Sequence, residues 1–398
     1  MKYDFDREVN RVSTDDLKWN VNAVKANLNC DIRKDMIPMW IADTDFACPP
    51  VIVEAIKKRA EKEIYGYCAP TKTFYEAVCY WNETRFNWKI DPSAISYSPS
   101  VVASINIAIR AFSNEGDGII IQTPVYDPFS SIVVNCNRKP VINQLIVKNN
   151  RYEMNFEELE NLVKQKENKV MVLCSPHNPV GRVWTKDELI RVADLCMANN
   201  VILISDEIHG DIVYGENVHH PLLSLKEEYS KGVIQLCAPS KTFNIAGLKF
   251  SMVIIKDETM KAAFNKTQIA MSLDIKNTFG IEGTIAAYSA QGEEWLEQEL
   301  EYMQGNIDLV EEFIKNEMPG VTMAKPEGTF LCWLDLSKLG LSDGEIVKRI
   351  VIHAGVICVP GPWFGKGGEQ HVRLNIGCTR RNLKLALERI KQALYETK

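Results

Sequence analysis

Short apolar runs recur along the first three quarters of the chain, and each closes on a cluster of polar residues. Gly118-Ile119-Ile120-Ile121-Gln122 leads into Thr123-Pro124-Val125-Tyr126. Val170-Met171-Val172-Leu173-Cys174 leads into Ser175-Pro176-His177-Asn178-Pro179-Val180-Gly181, and Val201-Ile202-Leu203-Ile204 into Ser205-Asp206-Glu207-Ile208-His209. Val233-Ile234-Gln235-Leu236-Cys237 opens into Ala238-Pro239-Ser240-Lys241-Thr242-Phe243-Asn244. Runs that are apolar nearly throughout, rather than alternating, predict strands buried on both faces of a mostly parallel sheet. Helical patterns lie between them. Thr185-Lys186-Asp187-Glu188 is a capping box that predicts a helix through Leu189, Val192 and Cys196. Residues 51–288 therefore read as a large α/β domain, a mixed but mostly parallel sheet with helices on both faces.

Beyond about residue 290 the pattern changes to long charged helices and shorter strands. Gly328-Thr329-Phe330-Leu331-Cys332-Trp333-Leu334-Asp335 alternates weakly and predicts a strand. The last helix carries Leu383, Leu387, Ile390 and Leu394 on one face. This part reads as a smaller α+β domain.

In parallel α/β sheets, ligands sit beyond the carboxyl ends of the strands. Tyr126, Asn178, Asp206 and Lys241 all fall at that edge, which groups them as one candidate site. Lys241 carries most of the meaning. A charged, flexible stem placed where a buried strand opens into a loop makes sense if its amine is consumed by covalent chemistry. Taken alone it reads first as a solvated lysine at a loop edge; the neighbouring clusters reverse that preference.

Composition narrows the classes. The chain has 398 residues, 46% hydrophobic and 25% charged, with a net charge of −6, enough for two domains with sizeable cores. No basic run marks a nucleic-acid surface, and no apolar stretch reaches the length needed to span a bilayer. The opening Met1-Lys2-Tyr3-Asp4-Phe5-Asp6-Arg7 has no apolar core of a signal peptide. Eleven cysteines are scattered without a Cys-x-x-Cys pair, a pattern expected in a reducing cytoplasm. No metal site is expected, and the adjacent His219 and His220 read as a surface loop.

Three further segments complete a pattern: Pro38-Met39-Trp40-Ile41-Ala42-Asp43-Thr44-Asp45-Phe46, Ser240-Lys241-Thr242-Phe243-Asn244, and Val372-Arg373-Leu374-Asn375-Ile376-Gly377-Cys378. With Ser205 to His209, they resemble the pyridoxal-phosphate enzymes of the aspartate-aminotransferase fold (fold type I). Within that group the chain is similar to the MalY/PatB-type carbon–sulfur lyases, usually called cystathionine β-lyases. The resemblance runs from about residue 36 to the C-terminus.

It implies pyridoxal 5'-phosphate as cofactor and assigns its demands residue by residue. Lys241 takes the aldehyde and, once displaced by substrate, serves as the base at Cα. Asp206 keeps the pyridine nitrogen protonated. Asn178 donates to the ring's phenolic oxygen, besides making an Asn-Pro turn. Tyr126 stacks on the ring, with a core aromatic as the alternative. For phosphate, many relatives carry Ser three residues before the lysine and Arg eight after it; here those positions hold Ala238 and Lys249. Lys249 keeps a point charge without arginine's fork, Ser240 offers a hydroxyl, and Ser100-Val101-Val102 opens a helix whose free N–H groups suit an anion. Tyr67 of a partner subunit reaches the same phosphate, which requires a homodimer; the bland alternative is a packed aromatic.

For the amino-acid substrate the resemblance names Arg373, which grips the α-carboxylate at two points, with Ile41, Ala42, Asn178 and Tyr67 around it. Asp43 and Asp45 read as local caps or ion pairs. His209 stands where amino-group-transferring relatives often have Tyr, and carbon–sulfur lyases have His. Residues 1–50 are implied to pack with 289–398 as the small domain. The leading reading is β-elimination from L-cystathionine or a related cysteine S-conjugate, giving a thiol, pyruvate and ammonia. No residue named above excludes an aminotransferase, and a cofactor-binding regulatory protein is the third reading.

Overall fold

The computed structural model describes residues 2–12, 14, 16–28 and 33–396. A seven-stranded sheet forms its centre, built from β1 (Ile95–Ser98), β2 (Gly118–Ile121), β3 (Lys139–Ile142), β4 (Asn168–Cys174), β5 (Ile202–Asp206), β6 (Val233–Cys237) and β7 (Ser251–Ile254) in the order β1-β7-β6-β5-β4-β2-β3. The five strands from β6 to β3 run parallel. β7 is antiparallel to both neighbours. Apolar residues of β2, β4, β5 and β6 are buried on both faces, which explains why their sequences are runs rather than alternations.

Local chemistry sets the helices that cover the sheet. Ser100 caps α1 (Val101–Phe112) by accepting from the Ala103 N–H at 3.1 Å. The capping box at Thr185 and Glu188 is present in full at the start of α2 (Lys186–Ala198), and Leu189, Val192 and Cys196 are buried as its pattern predicts. The link after β4 needs glycine: Gly181 has φ +70°, and a Cβ there would meet the Pro326 Cα at 2.9 Å.

The C-terminal part holds α3 (Ala290–Glu317), which at 28 residues spans roughly 42 Å. A four-stranded antiparallel sheet accompanies it, with β8 (Thr322–Met323), β9 (Leu331–Asp335), β10 (Val359–Pro360) and β11 (His371–Asn375) in the order β8-β9-β11-β10. The closing helix α4 (Arg380–Tyr395) buries Leu383, Leu387, Ile390 and Leu394. The N-terminal segment returns to this part: Ile37–Pro38 pairs in parallel with Val356–Ile357. This brings residues 40–46 and Arg373 of β11 to the carboxyl edge of the large sheet. Among the described residues, no helix is long and apolar enough to cross a membrane, and no cluster could hold a metal ion.

One expectation is overturned here. His219 is not on a surface loop but buried, its Nε2 3.0 Å from Glu207 Oε2. Its neighbour His220 is half-buried. His219 lines a small hollow with Glu207, which needs a partner there, and a two-residue polar pattern could not reveal that long-range demand.

Candidate active site

One cavity opens at the carboxyl edge where β4, β5 and β6 end. Ala42, Tyr126, Asn178 and Asp206 form part of its wall, with His209, Ser240, Lys241 and Lys249. Val101 and Val102, at the start of α1, close one side. The strand-end residues thus meet as their shared position at the sheet edge requires. Cys174, Ile208 and Phe250 also line the cavity; as apolar residues they carry no chemistry that would mark them out in the sequence.

Asp206 ends β5 with only 4% of its surface exposed. One of its oxygens accepts a single backbone N–H, from Ile208 at 3.1 Å. Burial pushes its carboxyl up to about 7, against that hydrogen bond and the nearby Lys241 amine, which favour the charged form. Lys241 is half-buried and donates to the Ala42 carbonyl. Burial pulls its amine down to about 8, with Asp43 opposing and Arg373 assisting. An amine so lowered has a far larger neutral fraction near neutral pH than an ordinary lysine, and the neutral form is the one that attacks an aldehyde.

Asp211 fixes the residue after Lys241. Its carboxylate accepts from Thr242 Oγ1 at 2.7 Å and from Trp81 Nε1 at 2.9 Å. Sequence reasoning passed over Asp211, although it lies two residues beyond His209 in the same strand-end run. Asn178 accepts from Arg373 Nη1 at 3.1 Å through Oδ1, leaving its amide hydrogens for a ligand. Its carbonyl accepts from the Tyr126 N–H at 3.1 Å, so two predicted residues are tied together through the main chain.

Arg373 joins the site through Asn178 and also donates to the Trp40 carbonyl. The ring of Phe364 lies 5.1 Å from its guanidinium carbon, a cation–π distance. Its Nε is buried without a partner among the described residues, and burial pulls the group down to about 10, still protonated at neutral pH. Ile41 contributes its carbonyl, which accepts from Asn375 Nδ2 at 2.6 Å. His209 is buried and its Nδ1 has no partner. Burial first, then the Lys241 and Arg373 charges, hold its pKa well down, so the ring is neutral.

On the phosphate side, Lys249 sits in the left-handed region at φ 50°, ψ 64°, and Ser240 and the first turn of α1 face the same cavity. Tyr67 does not reach it. It is 95% exposed, so the packed-aromatic alternative is excluded within this chain.

The donor set fits pyridoxal phosphate on the structure's own terms. A low-pKa amine, a buried carboxylate with few donors and a helix start surround one space, and a guanidinium with an idle Nε stands behind Asn178 in its wall. Each of these groups lacks, inside the protein, the partner that the cofactor and an amino acid would supply.

Comparison with known proteins agrees with this geometry. The model of the aminotransferase class I and II family matches residues 34–390. The cystathionine beta-lyase PatB of Bacillus subtilis (strain 168) is 38% identical over 390 residues, spanning 98% of this chain and 99% of that protein. Protein MalY of Escherichia coli (strain K12) is 32% identical, covering 96% of each. The crystal structure of cystalysin from Treponema denticola, which contains a pyridoxal 5'-phosphate cofactor, superposes with a TM-score of 0.96 at 33% identity over the full length of both chains. With its strand-edge lysine, aspartate and asparagine in one cavity, the chain belongs to the class I and II aminotransferase family, in its fold type I form.

Proposed function

We propose that this protein is a pyridoxal-phosphate-dependent carbon–sulfur β-lyase. It cleaves L-cystathionine or a related cysteine S-conjugate, with water, to a thiol, pyruvate and ammonia. The observation that carries the reading is that Lys241 and Asp206 line one cavity, with Arg373 bonded to Asn178 in its wall, in a chain similar end to end to a protein named cystathionine beta-lyase.

Bound pyridoxal phosphate supplies a sink for the electron pair left when Cα loses its proton. The chain's residues do the rest. Lys241 would hold the cofactor covalently and, once freed by the substrate amine, would take the Cα proton. Asp206 holds a proton on the ring nitrogen; a cation there returns the carboxyl to its charged form. Asn178 donates to the ring's phenolic oxygen and Tyr126 covers the ring. Lys249, Ser240 and the N–H groups at Val101 and Val102 neutralise the phosphate. Arg373 grips the α-carboxylate with two parallel N–H bonds, beside Ile41 and Ala42. His209, neutral, would line the cofactor's space and add no charge. The β-carbon–sulfur bond breaks as the thiolate leaves with the electron pair. In this reading residues 51–288 hold the cofactor, and 1–50 with 289–398 bring Arg373 and the 40–46 segment to it.

Tyr67 acts in a second copy. A tyrosine left 95% exposed, beside exposed Ile64 and Tyr65, forms an apolar patch of the kind that marks an interface. A homodimer would carry it to the partner's phosphate site. Sedimentation giving only monomer would remove this part.

The direct test incubates the enzyme with L-cystathionine and no keto acid. Thiol, pyruvate and ammonia should appear in equal amounts. Product that forms only when a keto acid is added would instead make the protein an aminotransferase, and no thiol from any cysteine conjugate would defeat the reading.

A further inference from the structure

Residues 40–46 lie outside any strand, with Ala42 in the cavity wall, yet most of their carbonyls are held. Arg373 bonds the Trp40 carbonyl, and Lys241 that of Ala42. Asn375 Nδ2 bonds those of Ile41 and Asp43, both at 2.6 Å. Asn244 Nδ2 bonds those of Thr44 and Phe46, both at 2.8 Å. All four of these side chains stand in motifs at the site, so the strap and the site share one hydrogen-bond network.

The outer side of the same strap is gripped by the N-terminal segment. Arg11 reaches Asp43 with Nη1 and Nη2, each at 3.1 Å, Asp45 Oδ1 at 2.6 Å, and the Thr44 carbonyl at 2.9 Å. Lys18 Nζ lies 3.1 Å from Asp45 Oδ1 and 3.0 Å from the Asp43 carbonyl. Trp19 Nε1 donates to Asp45 Oδ1 at 3.2 Å, and Trp40 Nε1 returns a bond to the Lys18 carbonyl at 2.9 Å. Lys18 is 0% exposed. Burying an ammonium fully is costly unless its partners are fixed, so the geometry of Lys18 dictates where Asp43 and Asp45 stand.

We infer that Arg11 and Lys18 are positioning residues for the substrate site: they clip the 40–46 strap so that Arg373, Asn375 and Lys241 keep their places around it. Neither cation touches the cavity. Their effect passes through the strap's carbonyls, chiefly that of Trp40, which orients the guanidinium expected to take the α-carboxylate. The kinetic consequence rests on the lyase reading; the structural one does not.

The test uses Arg11→Gln, together with the double variant Lys18→Met/Asp45→Asn, which removes a buried charge pair instead of stranding one carboxylate. Hydrogen exchange of the unloaded full chain, well below its melting temperature, should rise by about tenfold in the 39–46 peptide and stay unchanged in β4 and β5. In the loaded enzyme, KM for one cysteine conjugate should rise by about tenfold, with kcat within about threefold. A drop in melting temperature with strap exchange unchanged would overturn the clip. Faster strap exchange with KM unchanged would overturn its link to the substrate. Should the wild-type enzyme release no thiol from any conjugate, the lyase reading fails while the exchange measurement still judges the clip.

Discussion

Asp206 and Glu207 are neighbours in the chain and both are buried, yet the fold treats them differently. Glu207 faces away from the cavity and is satisfied three times over. It accepts from Ser205 Oγ at 2.8 Å and the Leu222 N–H at 3.0 Å, and meets His219 at 3.0 Å. Asp206 faces the cavity with one backbone donor, from Ile208, and its carboxyl is pushed up to about 7. Two lysines, Lys18 buried and Lys241 half-buried, differ in the same way. Lys18 is bonded to a carboxylate and a carbonyl, whereas Lys241 has a carbonyl alone and an amine pulled down to about 8. Where the fold supplies every partner the charge is structural. Where it withholds them, the group is poised for a ligand.

The strongest way to break that comparison is to remove the unsatisfied amine. Lys241→Ala should abolish thiol release, a loss of more than about 10⁴-fold since attachment and base are both gone, while the fold survives. Thiol release at the wild-type rate would contradict the assignment.

Asp206→Asn separates function from stability. Elimination should fall by about 10²–10³-fold, because an amide cannot hold the ring nitrogen's proton. Stability of the unloaded protein should move the other way. Folding raises this pKa, so between about pH 4 and pH 7 the folded chain keeps a proton that the unfolded chain has released. The wild-type protein therefore loses stability as pH climbs through that window and does not regain this loss above it. Relative to wild type, Asp206→Asn should melt higher at pH 8 than at pH 4. A variant that melts relatively lower at pH 8 would reverse the sign.

Arg373→Lys keeps the charge and loses the fork. KM should rise by about 10- to 100-fold, the worth of one charge-assisted bond, with a smaller change in kcat. Glu207→Gln is the smallest kinetic effect expected. Thermal melting should show a loss of about 1–3 kcal/mol as one donor of the buried cluster loses its acceptor, with kcat within about threefold of wild type. A large kinetic loss there would erase the distinction between the two carboxylates.

Much of this arrangement is written locally. Apolar runs ending in polar clusters mark β2, β4, β5 and β6 because both faces of a parallel sheet must be apolar. That periodicity places Tyr126, Asn178, Asp206 and Lys241 at one edge. The Thr185 capping box and the face of α4 are equally local. What is missed depends on distant partners. His219 reads as surface until Glu207 is seen to need it. Arg11 and Lys18 lie in a polar, aperiodic stretch, and their roles follow only from where Asp43 and Asp45 are brought. Asp43 and Asp45 themselves read correctly as ion-paired residues. Tyr67 could be placed only as bare or packed by the folded chain.

The most direct measurement traps the bond that Lys241 is assigned. Borohydride reduction of the enzyme loaded with pyridoxal phosphate, followed by peptide mapping, should leave a stable adduct on Lys241 alone. An adduct on Lys249, or a colourless protein that takes up no cofactor, would contradict the account.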